Sequence, residues 1–326
     1  MSGERPDLTI VATGRNDGYG GDFVARFLRT LEFNARELAA RQVATEFVFV
    51  EWAPPEDRPL LTELALDAIP SIAPVLRSIV VDPRYHDALT MNPRIAYLEF
   101  LAKNVGVRRA RGRLVLTTNA DVCLGRHILH RLADRALETR VVYRARRVDL
   151  KLGLDQSRMD WAVLEDERNY DTGLKALRPP LYSGGTGDFV LLDRETFAEL
   201  KGFNEVYRVA KIGIDRNFLV KAVHAGVPIA DIGGPVYHIN HAGSYRMSKA
   251  LYRDRQDEAP YGDRRWPSSV VVYENSDLWG LGAAPAEQIS PTITRLAFDW
   301  MAVLPLVDLD RVMRADGIAE ETDDEA

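Results

Sequence analysis

Short apolar runs recur along the first half of this chain, and a stretch with helical spacing separates most of them. The runs are residues 8–12, 47–50, 79–81 and 114–116. Between the first two, Phe23, Phe27, Leu31 and Leu38 recur at intervals compatible with one helix face; residues 60–68 and 95–109 repeat the pattern, the latter through Leu98, Leu101 and Val105. Strands alternating with helices at this spacing admit few folds. They predict an α/β chain with a mostly parallel central sheet and helices on both faces. Further on, the spacing predicts helices over 126–138, 194–200, 214–225, 291–303 and 309–313, and strands over 141–143, 189–192, 230–232 and 236–239. Residues 149–180 are polar and irregular, longer than a structureless connection usually runs, and so read as a partly ordered insertion or a functional loop.

Open α/β sheets bind ligands beyond the carboxyl ends of their strands. Here those ends present Asp17, Glu51 and Asp121. The run at 114–116 stops abruptly in Thr117-Thr118-Asn119-Ala120-Asp121, which sets one carboxylate at the tip of a buried strand. Such an acid either holds a divalent ion, which in turn holds a diphosphate, or caps the helix that starts near Arg126. The glycine-rich turn over 14–21 has neither a Walker lysine-serine ending nor a G-x-G-x-x-G fingerprint, so a P-loop or a dinucleotide site is not expected.

Two more clusters carry chemistry. Gly184, Gly185, Gly187 and Asp188 form a turn open to close ligand approach. Asp215, at the start of a helical stretch, is either that helix's N-cap or a general base. His238 and His241, three apart at a strand end, could each give an imidazole nitrogen to a metal; with no cysteine or second acid beside them a structural zinc site is not expected. His127 and His130 read as surface or packing residues. The aromatic residues over 161–182 and 252–279 serve either a sugar or the core.

Composition narrows the function class. A net charge of -6 argues against a nucleic-acid binder, and the clusters at 108–113 and 144–147 are solvated faces or anion contacts. The single cysteine, Cys123, excludes an intramolecular disulfide, and no run is apolar enough to span a membrane or to act as a signal segment, which makes the cytoplasm the expected location.

In this order the motifs resemble a glycosyltransferase of the GT-A (nucleotide-diphospho-sugar transferase) fold, closest in pattern to family 2, over residues 8–245. The strand and turn carrying Thr13, Arg15, Asn16 and Asp17 resemble the family's opening nucleotide-contacting segment. Glu51 stands where the family usually has an aspartate. Lys103-Asn104-Val105-Gly106 is similar to its basic-Asn-x-Gly helix segment. Asn119-Ala120-Asp121 sits where the D-x-D motif belongs, with the first acid replaced by an amide. Gly187-Asp188 leading to Lys201-Gly202-Phe203-Asn204-Glu205 is similar to its glycine-rich strand, helix and turn, and Asp215 falls where its catalytic acid lies, with Ile214 in place of the preceding acid.

The resemblance implies a catalytic domain over 1–245; residues 246–326 match nothing in the family and read as an extension with packed helices and, from its composition, a disordered acidic tail at about 318–326. It implies a hexosyltransferase that moves a sugar from a nucleoside-diphosphate sugar, UDP before GDP, to an acceptor hydroxyl of unknown identity, with inversion. Mn²⁺ or Mg²⁺ would bind Asp121 with His238 or His241, and Asp215 would be the base. The nucleotide-sugar would meet Thr13, Arg15, Asn16, Asp17, Glu51, Lys103, Asn104, Asn119, Ala120, Gly185 and Asp188. A nucleotidyltransferase of the same sheet architecture and a non-catalytic nucleotide-sugar or carbohydrate-binding protein are the alternatives. The apolar stretch over 291–304 could pair two copies in a homodimer as readily as pack within the core.

Overall fold

The computed structural model describes residues 5–155, 159–172, 177–208, 213–241 and 272–307. One sheet organises them. Its parallel block comprises β1 (Leu8–Gly14), β2 (Thr45–Trp52), β3 (Leu76–Val81) and β4 (Leu114–Thr117). The joining segments hold α1 (Phe23–Ala40), α2 (Leu61–Ala68), α3 (Pro83–Leu89) and α4 (Glu99–Arg108). After β4 come the short β5 (Val122–Leu124), α5 (Arg126–Ala133) and the long β6 (Val142–Leu150). Then follow α6 (Trp161–Leu164), β7 (Tyr170–Thr172), β8 (Val190–Asp193), α7 (Arg194–Glu199), α8 (Ile214–His224) and β9 (Ile229–His238). Two strands, β10 (Ala286–Gln288) and β11 (Ile293–Leu296), close the described sheet.

The strand order is β10-β11-β3-β2-β1-β4-β8-β6-β9-β5, with β7 on the side of β6. The block from β11 to β4 is parallel, β8 runs against both β4 and β6, and β6 and β9 run parallel to each other. The carboxyl ends of β1, β4, β6 and β9 and the amino end of β8 therefore share one edge. Successive side chains of a strand face opposite ways, and this sorts the core. Ile10, Phe47, Phe49, Leu114 and Leu116 pack with α1, α2 and α5, whereas Val11, Val48, Val50 and Val115 pack with α4, α7 and α8. Gly106 lets α4 approach β1, since a Cβ there would lie 2.4 Å from a methyl of Val11.

The expected α/β class, the parallel block and most element positions agree with this fold. Three expectations need correction. Residues 293–296 form a strand that pairs parallel with β3, not part of a helix over 291–303; helix is found only at 300–307. Three of the four residues in Ile293-Thr294-Arg295-Leu296 are β-branched or aliphatic, and strand pairing outweighs their helical spacing. The pieces at 230–232 and 236–239 are one strand whose register with β6 shifts between Arg144 and Arg146. Within 149–180 the expected insertion carries elements of its own: α6 is capped by Asp160, and β7 pairs with β6. The basic run over 144–147 is not a solvated face, because Arg144 is fully buried. The proposed helix over 309–313, the acidic tail and Trp266 lie outside the described residues. Among the described residues no helix is long and apolar enough to cross a membrane.

Candidate functional site

The shared edge of the sheet gathers three side chains from three places. Asp121 follows β4, His238 ends β9, and His241 lies just beyond it. All three are buried, and one ligand atom from each lies within 4.8 Å of the others. The Oδ2 of Asp121 is 3.5 Å from His241 Nε2 and 3.7 Å from His238 Nε2. A carboxylate oxygen and two imidazole nitrogens at this mutual distance fit one divalent cation. The backbone fixes the arrangement: β5 pairs antiparallel with β9, placing Val122 opposite His238, and the amide of Ile239 donates to the Asp121 carbonyl at 3.0 Å.

A second layer sets the imidazole of His238. Its Nδ1 lies 2.8 Å from Asp149 Oδ1 and 2.9 Å from a guanidinium nitrogen of Arg147. A carboxylate only accepts, so the contact with Asp149 is a hydrogen bond only if Nδ1 carries the proton. That tautomer leaves the Nε2 lone pair facing Asp121. Burial pushes the Asp149 carboxyl up, but the His238 hydrogen bond and Arg147 outweigh it and hold the group well below the usual carboxylate range. Arg147 also donates to Asp188 at 2.7 Å. Asp188 is fully buried; burial raises its pKa, Arg147 and His238 lower it, and the net direction is down.

From Asp188 the polar chain continues through the motif segment. Asn119 donates its amide to Asp188 Oδ1 at 2.8 Å and accepts from Lys103 Nζ at 2.8 Å. Lys103 in turn donates to Glu99 at 2.8 Å and to the Gly187 carbonyl at 2.9 Å. An amide both donates and accepts, so it fits between a carboxylate and an ammonium group, where a carboxylate would face Asp188 with no proton to share. This accounts for the missing first acid of the motif.

Asp215 stands across this chain. A Cβ built on Gly187 would lie 3.7 Å from Asp215 Oδ2 and 3.9 Å from Lys103 Nζ, so the two side chains flank the Gly187 backbone. The N-cap of α8 is Gly213, with φ at +87°, and Asp215 lies in the first turn, accepting from the Arg216 amide at 2.8 Å. It is therefore not the cap. Burial pushes its carboxyl above the ordinary range against the pull of that amide and of Arg144. A carboxylate of raised basicity is suited to accept a proton.

Some expected residues are placed elsewhere. Glu51 is fully buried, and its two oxygens accept from the Leu61 and Thr62 amides at 2.7 and 2.9 Å. It satisfies the amino end of α2 and does not reach the cluster. Asn104 follows Lys103, and successive helical residues point about 100° apart. Its side chain holds the 202–205 turn instead, bonding both the amide and the carbonyl of Phe203 at 2.8 Å and Glu205 at 2.9 Å. Ala120 is buried, with its carbonyl taken by the Thr30 hydroxyl. Gly185 lies under the Arg147 stem.

In the first turn, Thr13 is buried at the end of β1, Arg15 pairs with Asp17 at 3.2 Å, and Asn16 donates to the Pro59 carbonyl at 3.0 Å. The turn reaches the cluster through Tyr19, whose ring meets His241 edge-on at 4.9 Å. Trp161 packs on Phe33 and donates to Glu37, and Trp279 is buried beneath Arg108, so both serve the core.

Sequence reasoning overlooked Arg26, Arg147 and Asp149. Arg26, Thr30, Asn34 and Glu37 recur at helical spacing on an otherwise apolar α1 face, and a buried polar stripe of that kind signals a polar surface opposite. Asn34 indeed clamps β5 from both sides, at 2.9 Å to the Val122 carbonyl and 2.9 Å from the Leu124 amide. Arg147 and Asp149, two apart on β6, necessarily share a face.

No protein-family model matches the chain, and no curated protein matches its sequence. Among solved structures, it is similar to GalNAc-T7 with UDP, GalNAc and Mn²⁺, at 14% identity over 80% of this chain and 50% of that one, with a TM-score of 0.49. It is also similar to the mannosyltransferase PcManGT from Pyrobaculum calidifontis in complex with GDP-Man and Mn²⁺, at 15% identity over 95% of this chain and 70% of that one, with a TM-score of 0.43. The chain thus spans half the length of the first of these structures.

Proposed function

We propose that this chain is a metal-dependent glycosyltransferase that moves a sugar from a nucleoside-diphosphate sugar to an acceptor hydroxyl. The observation that carries the reading is the convergence, at one sheet edge, of the Asp121, His238 and His241 cluster with a separate carboxylate, Asp215, beyond Asn119 and Lys103. When bound, the cation supplies Lewis-acid neutralisation of the departing diphosphate. Two imidazoles beside one carboxylate favour Mn²⁺ over the harder Mg²⁺, which keeps oxygen ligands.

The chain's own groups do the rest. Asp121, His238 and His241 would hold the ion, while Asp149 keeps His238 in the ligating tautomer. Lys103 and Arg147, paired with Glu99, Asp149 and Asp188, hold the Asn119 segment in a fixed polar network. An acceptor hydroxyl has a pKa far above neutrality, so a carboxylate must take its proton as the new bond forms, and Asp215, whose basicity burial raises, takes that role. In-line attack from its side inverts the anomeric centre. The turn carrying Arg15, Asn16 and Asp17 meets the nucleotide, with UDP as the first donor to try. These residues all lie within 1–245, which we take as the catalytic part.

The test is a panel of UDP- and GDP-sugars with Mn²⁺, read by the product released. A nucleoside diphosphate supports the reading. Pyrophosphate would make the chain a nucleotidyltransferase, and donor binding without turnover at any acceptor would make it a binding protein.

A further inference from the structure

Arg26 bears on how the cluster fills. It is fully buried on α1, and its Nε lies 3.3 Å from Asp121 Oδ2. That is the same oxygen that faces both imidazole Nε2 atoms. The guanidinium and an incoming cation therefore need one carboxylate oxygen. The other Arg26 nitrogens are held by the Asp22 carboxylate and by the Tyr19 carbonyl at 3.0 Å. Gly20, with φ at +70°, closes over them: a Cβ there would lie 2.8 Å from both an Arg26 nitrogen and His241 Nδ1. The guanidinium is thus lodged between the metal-ligand candidates and the glycine turn.

A cation that takes Asp121 Oδ2 therefore stands beside the guanidinium and draws off one of its two carboxylate partners, leaving Asp22, and like charges face each other in a buried site where charge is poorly screened. A diphosphate arriving with the ion relieves that repulsion and offers the guanidinium a bidentate partner.

We propose that Arg26 couples the two binding events: it holds Asp121 while the site is empty and passes to the diphosphate when cation and nucleotide enter together, so that the cation alone binds poorly. This rests on the metal and nucleotide reading above and concerns a positioning residue.

The test is calorimetry of Mn²⁺ binding to the full chain, alone and with saturating UDP, corrected for the Mn²⁺–UDP complex in solution. The readout is the coupling factor, the ratio of the two Mn²⁺ dissociation constants. The wild-type factor should be at least about tenfold, as expected of linked sites. Arg26→Met, close in volume and uncharged, should bind Mn²⁺ alone at least about tenfold more tightly, with the factor falling towards one. Arg26→Lys, which keeps the charge, should keep the coupling. Loss of a structural residue would instead weaken Mn²⁺ binding. Asp22 is partly exposed and its substitution spares the core. In Asp22→Asn the guanidinium keeps Asp121 as its one carboxylate partner, so the factor should rise, whereas a simple loss of negative charge would weaken both affinities alike. An unchanged factor in Arg26→Met, or in Asp22→Asn should the first variant not fold, overturns the role of Arg26 alone. Absence of Mn²⁺ binding in every variant, with or without UDP, overturns the metal reading and this proposal with it.

Discussion

Removing Asp149 should convert His238 from a ligand into a donor. In the native chain Nδ1 has two neighbours, the Asp149 carboxylate at 2.8 Å and an Arg147 nitrogen at 2.9 Å. With Asp149→Ala only Arg147 remains, and a guanidinium can only donate. The imidazole must then accept at Nδ1 and carry its proton on Nε2, turning an N–H towards Asp121 where the lone pair was. The lost bond is charge-assisted and worth about 1.5–3 kcal/mol, which sets a preference for the ligating tautomer of roughly 10- to 100-fold; loss of such outer-layer partners costs metal sites about the same factor. Calorimetry with Mn²⁺ should show that weakening, and ¹⁵N chemical shifts of the ring should show the tautomer change. Asp149→Asn, which keeps a carbonyl acceptor without the charge, should fall between the two. Arg147 retains Asp188 at 2.7 Å, so the fold should hold. Mn²⁺ affinity within twofold of wild type in Asp149→Ala, with the Nε2 lone pair still free, would refute the reasoning.

Three further outcomes follow from the geometry. Asp215→Asn should keep donor affinity and lose roughly 10²- to 10⁴-fold in transfer rate; because burial raises the Asp215 pKa, the wild-type rate should climb with pH through a midpoint above the ordinary value of about 3.9, a limb the variant lacks in stopped kinetics. Asn119→Asp sets a second carboxylate 2.8 Å from Asp188 Oδ1. Its pKa in the folded chain rises above the unfolded value, so the folded state holds the proton longer, and urea titrations should show a loss of about 1–3 kcal/mol that grows as pH climbs from 4 to 7. Glu51→Gln turns an amide nitrogen towards a backbone N–H of α2 and should cost about 1–3 kcal/mol in the same assay while leaving UDP affinity unchanged.

Much of this was legible because periodicity reports burial. The runs at 8–12, 47–50 and 114–116 could be strands only of a sheet covered on both sides, and that sheet fixes which ends share an edge. Asp121 and His238 were found because they follow apolar runs at that edge, and Asp215 because it opens a helical stretch. What escaped needs pairing information. Glu51 and Asp121 look alike in sequence, each an acid after an apolar run; only the position of α2 turns one into a helix cap. Lys103 and Asn104 are neighbours in the chain and serve opposite sides of α4, a split that a motif read as a unit conceals. Residues 293–296 carry a helical pattern, and the open edge of β3 decides otherwise. Arg26 belongs to a polar stripe that the spacing shows, but its partner, 95 residues away, does not follow from it.

The most direct measurement is anomalous diffraction from crystals grown with Mn²⁺ and UDP. A single anomalous peak bonded to Asp121 Oδ2 and to the Nε2 atoms of His238 and His241, with diphosphate oxygens completing its shell, is the predicted result. A diphosphate bound with no anomalous peak at those three side chains, or a peak held elsewhere in the chain, would contradict the account.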